Sequence, residues 1–237
     1  MRRRCLGHDT KIKGHGSHPD PHARARRLRR LIPDALIFDL DGTLWDAAAA
    51  STYGWNLALE ELGEPRRVTA DDIRSVSGRP FPECVATLLP ELSPAPPTTI
   101  ELLEARERTG IELMAGELYE GVAEGLSRLA ERYPLFLVSN CPGWYLEAFF
   151  RAAGLRKSFT GWDCHGLSGI PKSGMLVNLA ATHRLAHAVY VGDTRGDQEA
   201  AAGAGMDFAF VTYGFGRAEG APLSFAAFGE LASHFLA

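Results

Sequence analysis

The chain lacks long apolar runs and has few cysteines. None of its hydrophobic stretches approaches the roughly 20 residues with which a helix crosses a bilayer, so the sequence predicts no membrane span. The four cysteines are scattered without Cys-x-x-Cys spacing, which indicates neither a zinc site nor a disulfide framework. With 237 residues, 46% of them hydrophobic and 23% charged, the chain can bury a full core as one domain, with or without an insertion. We therefore expect a cytoplasmic globular protein.

Positive charge is scarce outside the first 33 residues. Residues 1–33 hold 10 of the 25 lysines and arginines and only two acids, a net charge of +8, whereas the rest of the chain carries 15 basic and 27 acidic side chains. Such a segment is typical of a nucleic-acid-binding arm, a transit peptide or a disordered extension. We predict a basic, disordered extension over residues 1–33 and expect no nucleic-acid partner.

After Pro33, short apolar segments alternate with amphipathic ones, a pattern typical of a parallel β-sheet with helices on both faces. Roughly a hundred residues separate the first two predicted strands, whereas a simple strand-helix-strand crossover needs about 30. The sequence thus predicts an α/β core of residues 34–47 and 119–237 with an inserted helical cap at residues 48–118. The predicted strands are 35–40, 134–139, 188–192 and 207–211, and the predicted core helices are 121–132, 144–153, 173–184 and 196–204.

Two carboxylates, Asp39 and Asp41, lie one residue apart at the carboxyl end of the first predicted strand. Gly42 marks the point where the chain leaves the sheet. Ligands bind at the carboxyl ends of the strands in open parallel sheets, and two acids placed there can act as nucleophile and general acid or base. The alternative is a pair of solvated aspartates in a turn.

Three further polar groups follow predicted strands or begin predicted helices. Ser139 and Asn140 end an apolar strand and can hold phosphoryl oxygens. Lys172, one of only four lysines, precedes a helix, where backbone N–H groups also favour anions. Asp193 and Asp197 follow another strand and offer the oxygen ligands that Mg²⁺ prefers. The alternatives are ordinary turn chemistry, a surface lysine and a helix-capping acid.

In this order, these motifs resemble those of haloacid-dehalogenase-superfamily phosphatases with a helical cap, close to the phosphoglycolate-phosphatase-like branch. The resemblance spans about residues 34–220. It implies a Rossmann-like parallel sheet flanked by helices, with an inserted α-helical cap. The four motifs are Asp39-Leu40-Asp41-Gly42-Thr43, Ser139-Asn140, Lys172, and Gly192-Asp193 through Asp197; Gly121 and Tyr213-Gly214-Phe215-Gly216 also match this branch.

The resemblance implies catalytic roles for four side chains. Asp39 would attack phosphorus to form an aspartyl-phosphate. Asp41 would protonate the leaving oxygen and later take a proton from water. Ser139 would donate to the phosphoryl oxygens, and Lys172 would offset the gathered negative charge.

It also implies Mg²⁺ as cofactor. The metal would be held by the carboxylates of Asp39 and Asp193 and by the main-chain carbonyl of Asp41. The remaining motif residues, expected to support the phosphate and the metal ligands, are Thr43, Asn140 and Asp197.

Other reactions of the superfamily fit less well. Dehalogenases resemble this pattern without the second aspartate, and phosphonatases need a cap lysine, which residues 48–118 do not contain. A phosphomutase and a non-catalytic binding module stay as alternatives. We predict hydrolysis of a small phosphorylated metabolite by a monomer or homodimer. Arg79 in the cap is either a contact for a substrate anion or a surface charge.

Overall fold

The computed structural model describes residues 32–237. Most of the predicted basic extension therefore lies outside the described residues. Within them the strands are β1 (Ala35–Phe38), β2 (Trp45–Asp46), β3 (Glu117–Leu118), β4 (Leu135–Ser139), β5 (Gly161–Cys164), β6 (Ala188–Gly192), β7 (Asp207–Val211) and β8 (Leu223–Phe225). The helices are α1 (Ala48–Glu61), α2 (Ala70–Val76), α3 (Phe81–Leu88), α4 (Pro97–Met114), α5 (Val122–Ala130), α6 (Gly143–Ala153), α7 (His165–Ser168), α8 (Lys172–His183), α9 (Arg195–Gly203) and α10 (Phe228–Leu236).

Six parallel strands form one sheet in the order β5-β4-β1-β6-β7-β8. The central strands β1, β4 and β6 are buried along their whole length, as expected for a parallel sheet with both faces covered. This confirms the predicted fold class. The sequence did not predict the edge strands β5 and β8, which are short and only partly buried.

Alternate residues of the strands enter two separate cores. On one face, residues such as Phe38 and Leu137 pack against α5, α6 and α10. On the other face, residues such as Ile37 and Val138 pack against α8 and α9. Because side chains alternate along a strand, this two-sided burial explains why the strands read as continuous apolar runs.

The first strand is shorter than predicted. It ends at Phe38, and Asp39 and Leu40 lie beyond it. The Leu40 carbonyl accepts hydrogen bonds from the backbone N–H groups of Thr43 and Leu44, so the chain turns there. The turn buries the apolar side chain of Leu40. The apolar run in the sequence therefore continues past the end of the strand, and the predicted strand is two residues too long.

Helices α1 to α4 lie between β2 and β3, an antiparallel pair formed where the chain leaves and re-enters the sheet region. These helices have an apolar cluster of their own, which includes Trp55, Phe81 and Leu103. The helical insertion agrees with the predicted cap, although its exact boundaries stay a prediction. None of the described helices combines the length and apolarity needed to cross a membrane.

Helices α1 and α4 pack with their backbones in close approach at two glycines. A Cβ atom on Gly54 would lie 2.3 Å from the Arg106 carbonyl oxygen, and one on Gly110 would lie 2.2 Å from the Ala50 carbonyl oxygen. Any larger residue at either position would push the two helices apart, because the clash is with backbone. This close contact therefore determines which faces of α1 and α4 pack against each other.

We predict that Gly110→Ala lowers the free energy of unfolding by about 1–3 kcal/mol, the usual range for overpacking, although alanine is the better helix former. Gly229→Ala is the matched control, since Gly229 is also helical but has open space around it. There the gain in helix propensity should leave stability unchanged or raise it by up to about 1 kcal/mol. Urea unfolding measures both variants. Equal stability of the two would contradict the close approach.

Candidate active site

The predicted site residues meet at the carboxyl end of the central strands. Asp39 follows β1, Ser139 ends β4 and Asp193 follows β6. Strands β4 and β6 both pair directly with β1. Strand β4 is reached from β1 through α5 on one face of the sheet, and β6 is reached from β5 through α8 on the other face. Open α/β sheets bind ligands where the strand order reverses in this way. The register of the strands therefore brings together motifs that lie far apart in the chain.

Lys172 joins two of the aspartates. Its Nζ lies 2.9 Å from Asp39 Oδ1 and 2.7 Å from Asp197 Oδ1, and all three side chains are buried. Burial alone would lower the pKa of Lys172, but the charges of Asp197 and Asp39 outweigh it and the pKa is raised. Lys172 is therefore a fixed positive charge inside the site. It is the first residue of α8, as its position in the sequence suggested.

Asp197 is fully engaged by protein groups. It forms a capping box with Thr194 at the start of α9, in which Oδ2 accepts from the Thr194 backbone N–H and hydroxyl at 3.0 and 2.6 Å. Its Oδ1 accepts from Lys172 and, at 3.3 Å, from the Tyr190 hydroxyl. Asp197 thus positions Lys172 and has little capacity left for a metal.

Asp39 has one free oxygen. Its Oδ1 accepts from Lys172, whereas its buried Oδ2 has no hydrogen-bond partner among the described residues. Burial and the charge of Asp197 raise the pKa of Asp39 well above its ordinary value, and Lys172 opposes this. An unpaired buried carboxylate oxygen is costly, so this atom is set to bind a ligand.

Asp193 is held by a loop that follows β7. Its Oδ2 accepts from the backbone N–H groups of Phe215 and Gly216 at 2.7 and 3.1 Å, and Thr43 Oγ1 lies 3.4 Å from its Oδ1. Burial and the charge of Asp197 raise the pKa of Asp193 to about 7, although the hydrogen bonds from the two backbone amides lower it. The sequence offered no signal for these amides beyond the glycines around Phe215.

Gly42 lets Asp193 approach the first motif. Its φ is +79°, and a Cβ atom there would lie 2.2 Å from Asp193 Oδ2. Any other residue would be strained and would collide with the carboxylate. The position of Asp193 therefore requires a glycine at residue 42.

Oxygen atoms of Asp39, Asp193 and Asp197 lie within 4.8 Å of one another, with Lys172 as the cation joined to two of them. Three carboxyl groups beside one ammonium leave an excess of negative charge. Asp197 is already engaged by Lys172 and Thr194. The carboxyl oxygens of Asp39 and Asp193, including the unpartnered Asp39 Oδ2, are therefore those that fit a hard divalent cation with oxygen ligands. The residues present are therefore compatible with the predicted Mg²⁺ site.

Asp41 is placed differently from Asp39. Its Oδ1 accepts a hydrogen bond of 2.6 Å from the hydroxyl of Tyr145, on α6. Burial raises the pKa of Asp41 to about 6, and the hydrogen bond from Tyr145 and the charge of Lys172 act against it. A carboxyl group in this range can give and take protons near neutral pH. Sequence reasoning missed Tyr145, since no motif surrounds it.

Ser139 and Asn140 complete the group. The Ser139 hydroxyl oxygen accepts from the Cys141 backbone N–H at 3.2 Å, which leaves its own hydrogen available to a ligand. Asn140 donates through Nδ2 to the Gly78 carbonyl at 2.8 Å, and its Oδ1 has no partner among the described residues. Asn140 therefore links the strand end to the cap.

Comparison with known proteins agrees with this geometry. Residues 33–205 match the family model of the haloacid dehalogenase-like hydrolases. The chain is 33% identical over 190 residues to a phosphoglycolate phosphatase of Rhodobacter capsulatus, covering 76% of this chain and 85% of the relative. It is 30% identical over 191 residues to an N-acetylmuramic acid 6-phosphate phosphatase of Pseudomonas putida, covering 76% and 83%.

The chain belongs to the haloacid dehalogenase-like hydrolase family. Its fold agrees with that of a solved haloacid dehalogenase-like protein of Streptococcus pneumoniae, with a TM-score of 0.72, 23% identity, and coverage of 86% of this chain and 98% of that one. A predicted phosphoglycolate phosphatase of Haemophilus somnus gives a TM-score of 0.74 at 20% identity, covering 84% and 96%. The predicted family and fold are confirmed.

In this hydrolase, Asp41, Ser139 and Asn140 line a cleft that extends under the cap. Arg79 also lines this cleft, but it is exposed and donates to the Thr87 hydroxyl at 3.2 Å. The proposed contact between Arg79 and a substrate anion stays a prediction.

The cap adds an acid to this cleft that the sequence did not single out. Glu107 on α4 is only 7% exposed and lines the cleft with Ser51 and Trp55 of α1. Burial raises its pKa to about 7, and the neighbouring Ser51 hydroxyl and Trp55 indole oppose this. A buried acid in the apolar cluster of a cap has a cost in stability and requires an explanation.

We predict that ionisation of Glu107 destabilises the metal-free protein as the pH rises. Its pKa is raised from 4.5 to about 7 on folding, so the folded state binds the proton more tightly and stability falls across this window. Glu107→Gln removes the titration and should gain up to about 3 kcal/mol over wild type between pH 4.5 and 8. Urea unfolding at several pH values measures this difference.

The matched control is Glu112→Gln, the same change at an exposed position of α4. Its stability should follow that of wild type at every pH. A constant difference between Glu107→Gln and wild type would show that Glu107 has an ordinary pKa.

Proposed function

We propose that this hydrolase is a Mg²⁺-dependent phosphatase that cleaves a small phosphate monoester through an aspartyl-phosphate. The unpartnered Oδ2 of Asp39, buried beside Lys172 and two further aspartates, carries the proposal. Two relatives that bear phosphatase names support it. A cytoplasmic location, a monomeric or homodimeric state and the absence of a nucleic-acid partner belong to the same proposal.

In the first step, Asp39 attacks phosphorus, and the bond from phosphorus to the ester oxygen breaks. Asp41 gives its proton to that oxygen, so the product leaves as a neutral alcohol. In the second step, water attacks the aspartyl-phosphate, and Asp41 takes its proton. Inorganic phosphate leaves, and both aspartates return to their initial states. The pKa of about 6 suits Asp41 to both transfers.

The other residues stabilise charge and fix positions. The free hydrogen of the Ser139 hydroxyl would donate to a phosphoryl oxygen, and the ammonium of Lys172 would attract the phosphate while keeping Asp39 in place. Asp197 holds Lys172 through its capping box. Asn140 joins the site to the cap.

The carboxylates of Asp39 and Asp193 and the main-chain carbonyl of Asp41 would hold Mg²⁺, with Thr43 beside Asp193. When bound, the metal lowers the repulsion between an anionic nucleophile and an anionic phosphate. The backbone amides of Phe215 and Gly216 keep Asp193 in position for this role.

We predict that Asp39→Asn lowers phosphate release from p-nitrophenyl phosphate by at least about a thousandfold, because the nucleophile is lost. EDTA should abolish wild-type release and added Mg²⁺ should restore it. Asp207→Asn, at the exposed amino end of β7 and so at the opposite end of the sheet from the site, is the control and should keep full activity. Malachite green detection of phosphate measures all of these. Substantial turnover by a folded Asp39→Asn would refute the assigned nucleophile.

We further predict that the loss caused by Asp41→Asn depends on the leaving group. An alkyl ester needs its oxygen protonated, so kcat/KM for glycerol 3-phosphate should fall by about a hundredfold or more. p-Nitrophenol leaves readily without a proton, so kcat/KM for p-nitrophenyl phosphate should fall much less. Equal losses for the two esters would exclude Asp41 as the general acid.

A further inference from the structure

We propose that Glu107, with Ser51 and Trp55, selects leaving groups that carry hydroxyls and rejects those that carry a carboxylate. This inference rests on the proposed phosphatase activity and adds the class of substrate. It places the specificity determinant on α1 and α4 of the cap.

The position of the cleft supports a role in reading the leaving group. Asp41, the proposed proton donor to the leaving oxygen, lines the cleft together with Glu107. A substrate held at Asp39 by its phosphate must therefore extend past Asp41 toward the cap. The charge of Asp41 also contributes to the raised pKa of Glu107, which indicates that the two acids interact across the cleft.

The cap holds these side chains rigidly. A Cβ atom on Gly54 would lie 2.5 Å from the Glu107 Cα, so α1 and α4 touch at the level of Glu107. Ser51 and Trp55 flank Gly54 in the sequence of α1 and are almost fully buried, at 2% exposure each. Side chains fixed in this way can discriminate between ligands without prior rearrangement.

The polar groups of this subsite match a hydroxyl. Above its pKa of about 7 the Glu107 carboxylate accepts hydrogen bonds, and the buried indole N–H of Trp55, which lies near that carboxylate, forms no hydrogen bond to it or to any other described residue. A hydroxyl group can donate to the first and accept from the second. A carboxylate has no proton to donate to Glu107 and would bring a like charge against it in a low-dielectric pocket.

Arg79 is the only arginine or lysine among the described residues that line this cleft. It is exposed and bonded to Thr87, so solvent screens its charge more than that of the buried Glu107. We therefore expect Glu107 to outweigh Arg79 in the choice between neutral and anionic leaving groups.

The test uses two pairs of esters that differ only in one group. Glycerol 3-phosphate and 2-hydroxyethyl phosphate carry a hydroxymethyl group where 3-phosphoglycerate and 2-phosphoglycolate carry a carboxylate. At about pH 8.5, above the pKa of Glu107, kcat/KM of wild type should favour the hydroxymethyl member of each pair. In Glu107→Gln the preference should shift by at least about tenfold toward the carboxylate member, because the like charge is gone.

Two controls separate specificity from general damage. Glu112→Gln should keep wild-type activity on p-nitrophenyl phosphate, which has neither group, and Glu107→Gln is judged only by the ratio within each ester pair, in which a general loss of activity cancels. Glu112→Gln should leave both preferences unchanged. A wild-type preference for the carboxylate members, or an unchanged preference in Glu107→Gln, would overturn the proposal.

A binding measurement separates this proposal from the proposed activity. Glycerol 3-phosphate and 3-phosphoglycerate are titrated calorimetrically into Asp39→Asn in Mg²⁺, with and without Glu107→Gln. If wild type hydrolyses no ester but Glu107 still sets the binding preference, the phosphatase function fails and the subsite stands. If hydrolysis occurs and neither binding nor kcat/KM depends on Glu107, only the subsite fails.

Discussion

The burial of several carboxyl groups around one lysine is the constraint on which the rest of this structure depends. Each buried acid loses its hydration, so each requires a partner. Lys172 bridges Asp39 and Asp197, Thr194 closes a capping box on Asp197, and two backbone amides hold Asp193. Among the fully buried carboxylate oxygens of the described residues, only Asp39 Oδ2 is left without a partner. The supporting acids thus have partners, and the free carboxylate oxygen is the one that the proposed mechanism uses.

This arrangement explains features that lie outside the motifs themselves. A sheet whose central strands are buried on both faces holds the strand ends in fixed register, so side chains more than a hundred residues apart in sequence can meet. Gly42 and Gly214 let the backbone approach Asp193, since a Cβ on Gly214 would lie 2.4 Å from the Asp193 Cβ. The glycines and the carboxylates therefore form a single structural unit.

The sequence predicted much of the fold and the residues that meet in the candidate site, because both depend on local patterns that parallel pairing then aligns. Buried strands are apolar runs, and the acids follow them directly, as Asp39 and Asp193 do. Tyr145 and Glu107 were missed for the opposite reason. Each lies within an amphipathic helix, and only the packing of that helix decides whether a polar residue faces solvent or the cleft. The short edge strand β8 was missed because its burial comes from β7 and α10 rather than from its own pattern.

The sheet edge and the cap have different proposed roles, phosphate binding and leaving-group selection, and electrostatics explains the difference. In the proposed mechanism, Lys172 at the sheet edge is the fixed positive charge that attracts the phosphate, whatever group the phosphate carries. The cap places a buried acid, Glu107, in the cleft where we propose that the attached group lies, and its cost in stability is understandable only if it does something that an apolar residue would not. An ionised Glu107 would repel any leaving group that carries a negative charge. Such repulsion acts on every anionic competitor, whereas one added attractive contact favours only the ligands that can form it. The proposed discrimination by the cap and the proposed catalysis at the sheet edge would therefore change independently, since they use opposite charges on separate elements.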